Sequence, residues 1–154
     1  MPKGAAMSKH GRLVAVCLSE EKGTTKKPVR AGRLLEEFGF EGDAHAGTPR
    51  RQVSLLCESS IEQMRAKGAE LGPGDFAENL TITGVTIDDL PLGAQITLSS
   101  GPVLEVTQIG KECHSDCAIR ELIGDCVMPR EGVFARVVTG GSVAPGDTFE
   151  VDNG

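Results

Sequence analysis

The chain has 154 residues, enough for one domain with a proper core and too few for two comfortable ones. It is 39% hydrophobic and 25% charged, ordinary for a globular protein. A net charge of −6, with no Trp, no Tyr and only 5 Phe, argues against the basic footprint and aromatic stacking platforms of a general nucleic-acid binder.

The opening residues, MPKGAAMSKH, are small and polar and lack the apolar core of a secretory signal. No apolar run approaches a membrane span. Five cysteines, an odd count without an export signal, point to free thiols in a reduced, cytoplasmic protein.

In chain order, residues 12–19 (RLVAVCLS) are β-branched and apolar and predict a first strand, with Cys17 packed as a small hydrophobe. The Lys/Thr-rich segment KGTTKKPV reads as a loop. In AGRLLEEFGFEGDAHAG, Gly39, Gly42 and Gly47 argue against a long helix. Residues 51–57 (RQVSLLC) predict a second strand. Residues 58–67 predict an amphipathic helix with Ile61 and Met64 facing in and Gly68 ending it.

After the loop LGPGDFAEN come five short strand patterns, NLTIT, QITL, VLEVTQI, VFARVV and TFEV, separated by Gly and Pro turns. LPLGAQITL and VAPGDTFEV echo each other as turn-then-strand units. Between VLEVTQI and VFARVV lies GKECHSDCAIRELIGD. Its apolar Ile119, Leu122 and Ile123 predict a short helix, capped by Ser115 or Asp116. The whole predicts a mainly β fold, an antiparallel β-barrel carrying two or three short helices. A single domain is expected over residues 10–152, with residues 1–9 as a disordered tail.

Several groups of residues carry candidate chemistry. Cys113 follows a strand and precedes a helix start, with Lys111 nearby, and both features favour a thiolate. Glu112 and Asp116 oppose them. Cys113, His114 and Cys117, with Cys126 further on, have no second matching pair, which argues against a structural zinc site but leaves a C-x3-C redox pair or two packed small residues open. The Gly42-Asp43-x-His45 turn suits acid–base work or substrate orientation, and equally a turn Asp beside a solvated His. Arg50, Arg51, Lys111, Arg130 and Arg136 are either scattered surface charges or, gathered on one barrel rim, an anion pocket. Asn79, after Glu78, either closes an Asx-type turn or reads a ligand ring edge. No P-loop, GxGxxG, HExxH or GxSxG pattern occurs.

Six pieces occur in order within the stretch from about Gly11 to Val151, the first beginning at Glu41: EGDAHAG then RQVSLL, GPGDFAENLTITG, LPLGAQITL, VLEVTQIGKEC and REGVFARVVTGGSVAPGDTFEV. Together they resemble the MOSC domain, named for the C-terminal domain of molybdenum cofactor sulfurase. The resemblance implies a barrel similar to the barrel domain of pyruvate kinase. It also implies binding of the molybdenum cofactor (molybdopterin) or carriage of its sulfur.

On that resemblance Cys113 is the catalytic or carrier thiol and the molybdenum ligand. Asp43 and His45, Arg51, and Glu78 with Asn79 match the family's other positions. With Lys111, Arg130 and Arg136 as basic candidates, they form the expected cofactor-binding set. The chain departs from the family in having Glu112 where many members have Pro, and Phe76-Ala77-Glu78-Asn79 where many have FGEN.

The resemblance leads first to a cofactor-binding or carrier domain, working with molybdenum-cofactor biosynthesis proteins or molybdoenzymes. A second reading is a molybdenum-dependent reductase of N-hydroxylated compounds. That reading requires a separate electron-donor protein, because the chain has no ferredoxin-type cysteine run and no dinucleotide fingerprint. A third is a zinc or thiol-redox barrel. Pyridoxal phosphate, nucleic acid and membrane are not expected partners.

Overall fold

The computed structural model describes residues 9–20, 26–44, 46–47, 52–65, 78–110 and 132–152. Its main strands are β1 (Lys9–Leu18), β5 (Val53–Cys57), β6 (Leu80–Thr83), β7 (Gln95–Leu98), β8 (Val103–Ile109), β9 (Val133–Thr139) and β11 (Thr148–Asp152). They pair in the order β11–β7–β8–β9–β5–β6–β1, and β1 pairs back to β11. The mainly β barrel expected from the strand patterns is therefore present, closed by seven strands.

Period-two patterning builds the wall. Ile96 and Leu98 on β7, and Phe149 and Val151 on β11, are buried, while Gln95, Thr97, Glu150 and Asp152 between them are exposed. Leu104 and Val106 on β8 and Val133, Ala135 and Val137 on β9 fill the same core. On β5 every residue is buried. Val53, Leu55 and Cys57 enter the barrel core. Ser54 and Leu56 alternate with them and face the other side of the wall. Helix α1 (Glu58–Arg65) packs over β5 and β6 and buries Ile61.

Among the described strands β5 and β6 are the one parallel pair, and this helix lies in the long crossover that a parallel neighbour needs. Among the described residues α1 is the single α-helix, joined by a 3₁₀ turn at Ile87–Asp89. The helix predicted around Ile119–Ile123 lies outside the described residues, as does the predicted end of α1 beyond Arg65. So does the side chain of Met64.

Strand β1 organises the closure. Its first half pairs with β11 (Lys9↔Val151 to Arg12↔Thr148), its middle with β6, and its last residues with β2 (Lys27–Val29). A bulge between Leu13 and Ala15 accompanies the change of partners. At Gly11 a Cβ would fall 2.3 Å from Phe149 Cζ and 2.5 Å from the Thr83 carbonyl, so the strands approach more closely than any side chain permits.

A second, three-stranded sheet was not read from the sequence: β10 (Gly141–Val143), β3 (Gly32–Leu35) and β4 (Gly39–Phe40). Strands β10 and β4, of three and two residues, show too little alternation to be recognised, yet Leu34, Phe40 and Val143 belong to the same core. Likewise the segment read as a loop, KGTTKKPV, ends in β2. No helix among the described residues is long and apolar enough to cross a membrane.

Candidate functional site

The end of β1, the start of β5 and the residue before β6 meet in a knot of buried polar groups. Asn79 is completely buried. Its backbone N–H donates to the Ser54 carbonyl and hydroxyl oxygens, each at 3.0 Å. Its Oδ1 accepts from the Ser54 N–H at 3.0 Å and the Ser54 hydroxyl at 3.2 Å. Its Nδ2 donates to the Cys17 carbonyl at 3.1 Å, while the Cys17 N–H donates to the Asn79 carbonyl at 2.7 Å. The side chain thus continues the β1–β6–β5 ladder beyond its last regular rung. Beside it Glu78, also completely buried, accepts from the Thr81 hydroxyl at 2.7 Å.

Asp43 closes the same knot from the turn after β4. Its Oδ1 accepts from Lys26 Nζ at 2.8 Å and from the Ser19 N–H at 3.1 Å. Lys26 Nζ also donates to the Ser19 hydroxyl at 3.1 Å. Neither the Lys26 nor the Asp43 side chain is exposed. The turn is tied further by Asp43 N–H to the Phe40 carbonyl (3.1 Å) and Ala44 N–H to the Ser19 carbonyl (2.8 Å).

Burial alone would raise the Asp43 pKa. The hydrogen bond and charge of Lys26, the Ser19 N–H and the Asn79 amide outweigh it and leave the carboxyl below its ordinary 3.8. Asp43 is therefore ionised at neutral pH and shielded from solvent.

The exit of β8 is the other part of the site that the structure describes. Ile109, last residue of β8, pairs with Val133, which pairs with Leu55, which pairs with Leu80. So β8 ends one rung from Asn79, with β9 and β5 between. A bulge at Thr107, whose hydroxyl donates to the Phe134 carbonyl at 3.2 Å, bends the strand just before its end. Gly110 then turns with φ 72°, where a side chain would be strained, and its N–H donates to the Gly132 carbonyl at 2.7 Å.

Of the residues singled out from sequence, the structure brings Asp43 and Asn79 together with Glu78 near them. Arg136 makes other contacts. Its Nε donates to Glu105 at 2.7 Å and its terminal nitrogen to Glu37, bonds that raise its pKa. His45, Arg50, Arg51, Lys111, Cys113, His114, Cys117, Cys126 and Arg130 lie outside the described residues. Sequence reasoning missed Lys26, Ser19 and Ser54. Two adjacent lysines in a presumed loop gave no sign that Lys27 would be exposed and Lys26 buried against a carboxylate far along the chain.

Cys17 and Cys57 are buried in the barrel wall, which removes them as ligands for an incoming group. Among the described residues no three His, Cys, Asp or Glu side chains cluster to hold a metal ion. Cys113, Cys117 and Cys126 lie outside the described residues.

Comparison with known proteins agrees with this architecture. The uncharacterized protein YflK of Bacillus subtilis (strain 168) is 26% identical over a 143-residue alignment that covers 85% of this chain and 63% of YflK, so the chain spans less than two thirds of that relative. The crystal structure of YuaD from Bacillus subtilis superposes with a TM-score of 0.78 at 19% identity, covering 94% of this chain and 96% of YuaD. YiiM from Geobacillus stearothermophilus gives 0.70 at 21% identity, covering 92% of this chain and 74% of YiiM. These structures share the fold. The MOSC domain model matches residues 42–150, a stretch that begins at the Asp43 turn and runs to the last barrel strand, and the chain belongs to the MOSC domain family.

Proposed function

We propose that this domain binds the molybdenum cofactor and handles it, or its sulfur, through the thiolate of Cys113. The observation that carries the reading is the family match over residues 42–150, which includes the Asp43 turn, Asn79 and Cys113 in one domain. The fold is compatible with their convergence. Three strand spacings of about 4.8 Å separate β8 from β6, and the four residues from Ile109 to Cys113 can span a similar distance at about 3.3 Å each.

Each group has a part in this reading. Bound cofactor supplies a molybdenum centre with sulfur ligands and a pterin phosphate. Cys113 offers the soft ligand or carries the sulfur. Arg51, Arg130 and Lys111 meet the phosphate, for which arginine's planar fork is suited. His45 hydrogen-bonds the bound group. Asn79 and Asp43, wholly engaged inside the protein, hold the rim in place. The work is cytoplasmic, with molybdenum-cofactor biosynthesis proteins or molybdoenzymes as partners.

The test is metal and pterin analysis of protein purified from a host that makes the cofactor. Molybdenum and pterin are expected together in the wild type, and Cys113→Ser is expected to lose molybdenum. Zinc without either would replace this reading with the zinc-barrel one, and Cys113→Ser with full molybdenum content would remove the ligand role. Turnover of an N-hydroxylated compound by loaded protein with a reduced dye would extend the role to a reductase.

A further inference from the structure

The Lys26–Asp43 pair is a costly way to hold a turn. Two opposite charges taken out of water recover their desolvation only with excellent geometry, and an apolar pair of similar size serves stability at least as well. What the ion pair offers instead is direction. Asp43 Oδ1 collects Lys26 Nζ at 2.8 Å and the Ser19 N–H at 3.1 Å, and Lys26 reaches on to the Ser19 hydroxyl at 3.1 Å. These groups come from three places: the residue after β1, the residue before β2 and the turn after β4. Ala44 N–H to the Ser19 carbonyl adds a fourth tie. Together they set the turn at one position against the end of β1, next to Asn79 and Ser54.

Resting on the cofactor reading above, we propose that Lys26 and Asp43 are positioning residues of the cofactor site. They act through the turn that leads in sequence to His45 and Arg51, and neither touches the cofactor. Lys26 thereby joins the site although nothing in the sequence motifs assigns it.

The double variant Lys26→Met/Asp43→Asn separates positioning from stability. It removes both charges and keeps an acceptor for the Ser19 N–H, whereas Lys26→Met alone leaves a buried carboxylate uncompensated. Urea unfolding and molybdenum plus pterin per folded chain are measured on wild type and variants. The double variant is expected to be close to wild type in stability and far above Lys26→Met. Its cofactor content is expected to fall about tenfold or more, since losing groups that orient ligands typically costs that much.

A loaded wild type with an equally loaded double variant overturns the assignment alone. A double variant whose cofactor loss only tracks its unfolded fraction does the same. A wild type holding neither molybdenum nor pterin overturns the cofactor reading and this assignment with it. Should the methionine variant fail to fold, Lys26→Gln/Asp43→Asn, with an amide in place of the ammonium, is read by the same criteria.

Discussion

Asn79 and Ser54 satisfy each other's polar groups almost completely: the Asn79 N–H is shared between two Ser54 oxygens, and Asn79 Oδ1 takes both the Ser54 N–H and hydroxyl. The pair stands where the parallel β5–β6 ladder begins, one rung before Leu55↔Leu80. Asn79→Ala would leave the Ser54 N–H and the Cys17 carbonyl buried without these side-chain partners, and unmade buried bonds cost about 1–3 kcal/mol each. Chemical denaturation is expected to show a loss of about 2–4 kcal/mol, with the Ser54 amide, which loses its Asn79 Oδ1 acceptor, exchanging faster than in wild type. An Asn79→Ala protein of unchanged stability would show that water replaces the amide without penalty.

Asp43 gives stability a defined pH dependence. Its folded pKa lies below the ordinary 3.8, so as pH falls the unfolded chain takes up the proton first. The contribution is complete above the unfolded value and is lost as pH falls through the folded one. The urea midpoint is therefore expected to decline as pH is lowered from neutral past 3.8. Lys26→Met/Asp43→Asn is expected to flatten that limb. Equal acid sensitivity in variant and wild type would place the effect on other carboxylates.

The barrel is legible in the sequence wherever a strand carries several alternations: QITL, VLEVTQI and TFEV read as strands and are strands. The small sheet is not legible, because GF and GSV are too short to show a period and are held by register against β3. The site divides in the same way. Asp43 and Asn79 stand in recognisable motifs and do come together. Lys26 does not announce itself, since a lysine among threonines has the composition of a solvated loop, and only the three-dimensional arrangement supplies the carboxylate that makes burying it tolerable. The partners of Arg136 are not legible either: nothing in VFARVV indicates that its guanidinium meets Glu105 on the neighbouring strand and Glu37 in a distant turn.

Gly11 tests the closure of the barrel. It pairs with Phe149, and an added Cβ would meet both the Phe149 ring and the Thr83 backbone oxygen. The ring can shift, but the carbonyl belongs to the β6 partner strand and cannot move without breaking the ladder. Gly11→Ala is expected to lose about 1–3 kcal/mol, the usual cost of overpacking. Adding Phe149→Leu is expected to recover only part of it, because the contact with Thr83 remains. Full recovery in the double variant would assign the whole strain to the ring.

Arg136 bears directly on which cations meet a bound anion. Its guanidinium is held between Glu105 on β8 and Glu37 in the β3–β4 turn, so the cluster carries one net negative charge. A phosphate approaching Arg136 would have to displace a carboxylate and remain beside two of them, a repulsive arrangement for any anion. Arg51 and Arg130 are left as the arginines to which the proposed phosphate contact falls. Arg136→Ala is accordingly expected to keep wild-type molybdenum and pterin content and a thermal midpoint close to wild type, since ion pairs at partly exposed positions contribute little. Arg51→Ala is expected to lower cofactor content in the same preparation. If Arg136→Ala empties the protein while Arg51→Ala does not, the anion contact lies on the Arg136 side of the barrel, and the two glutamates must release the guanidinium when the cofactor binds.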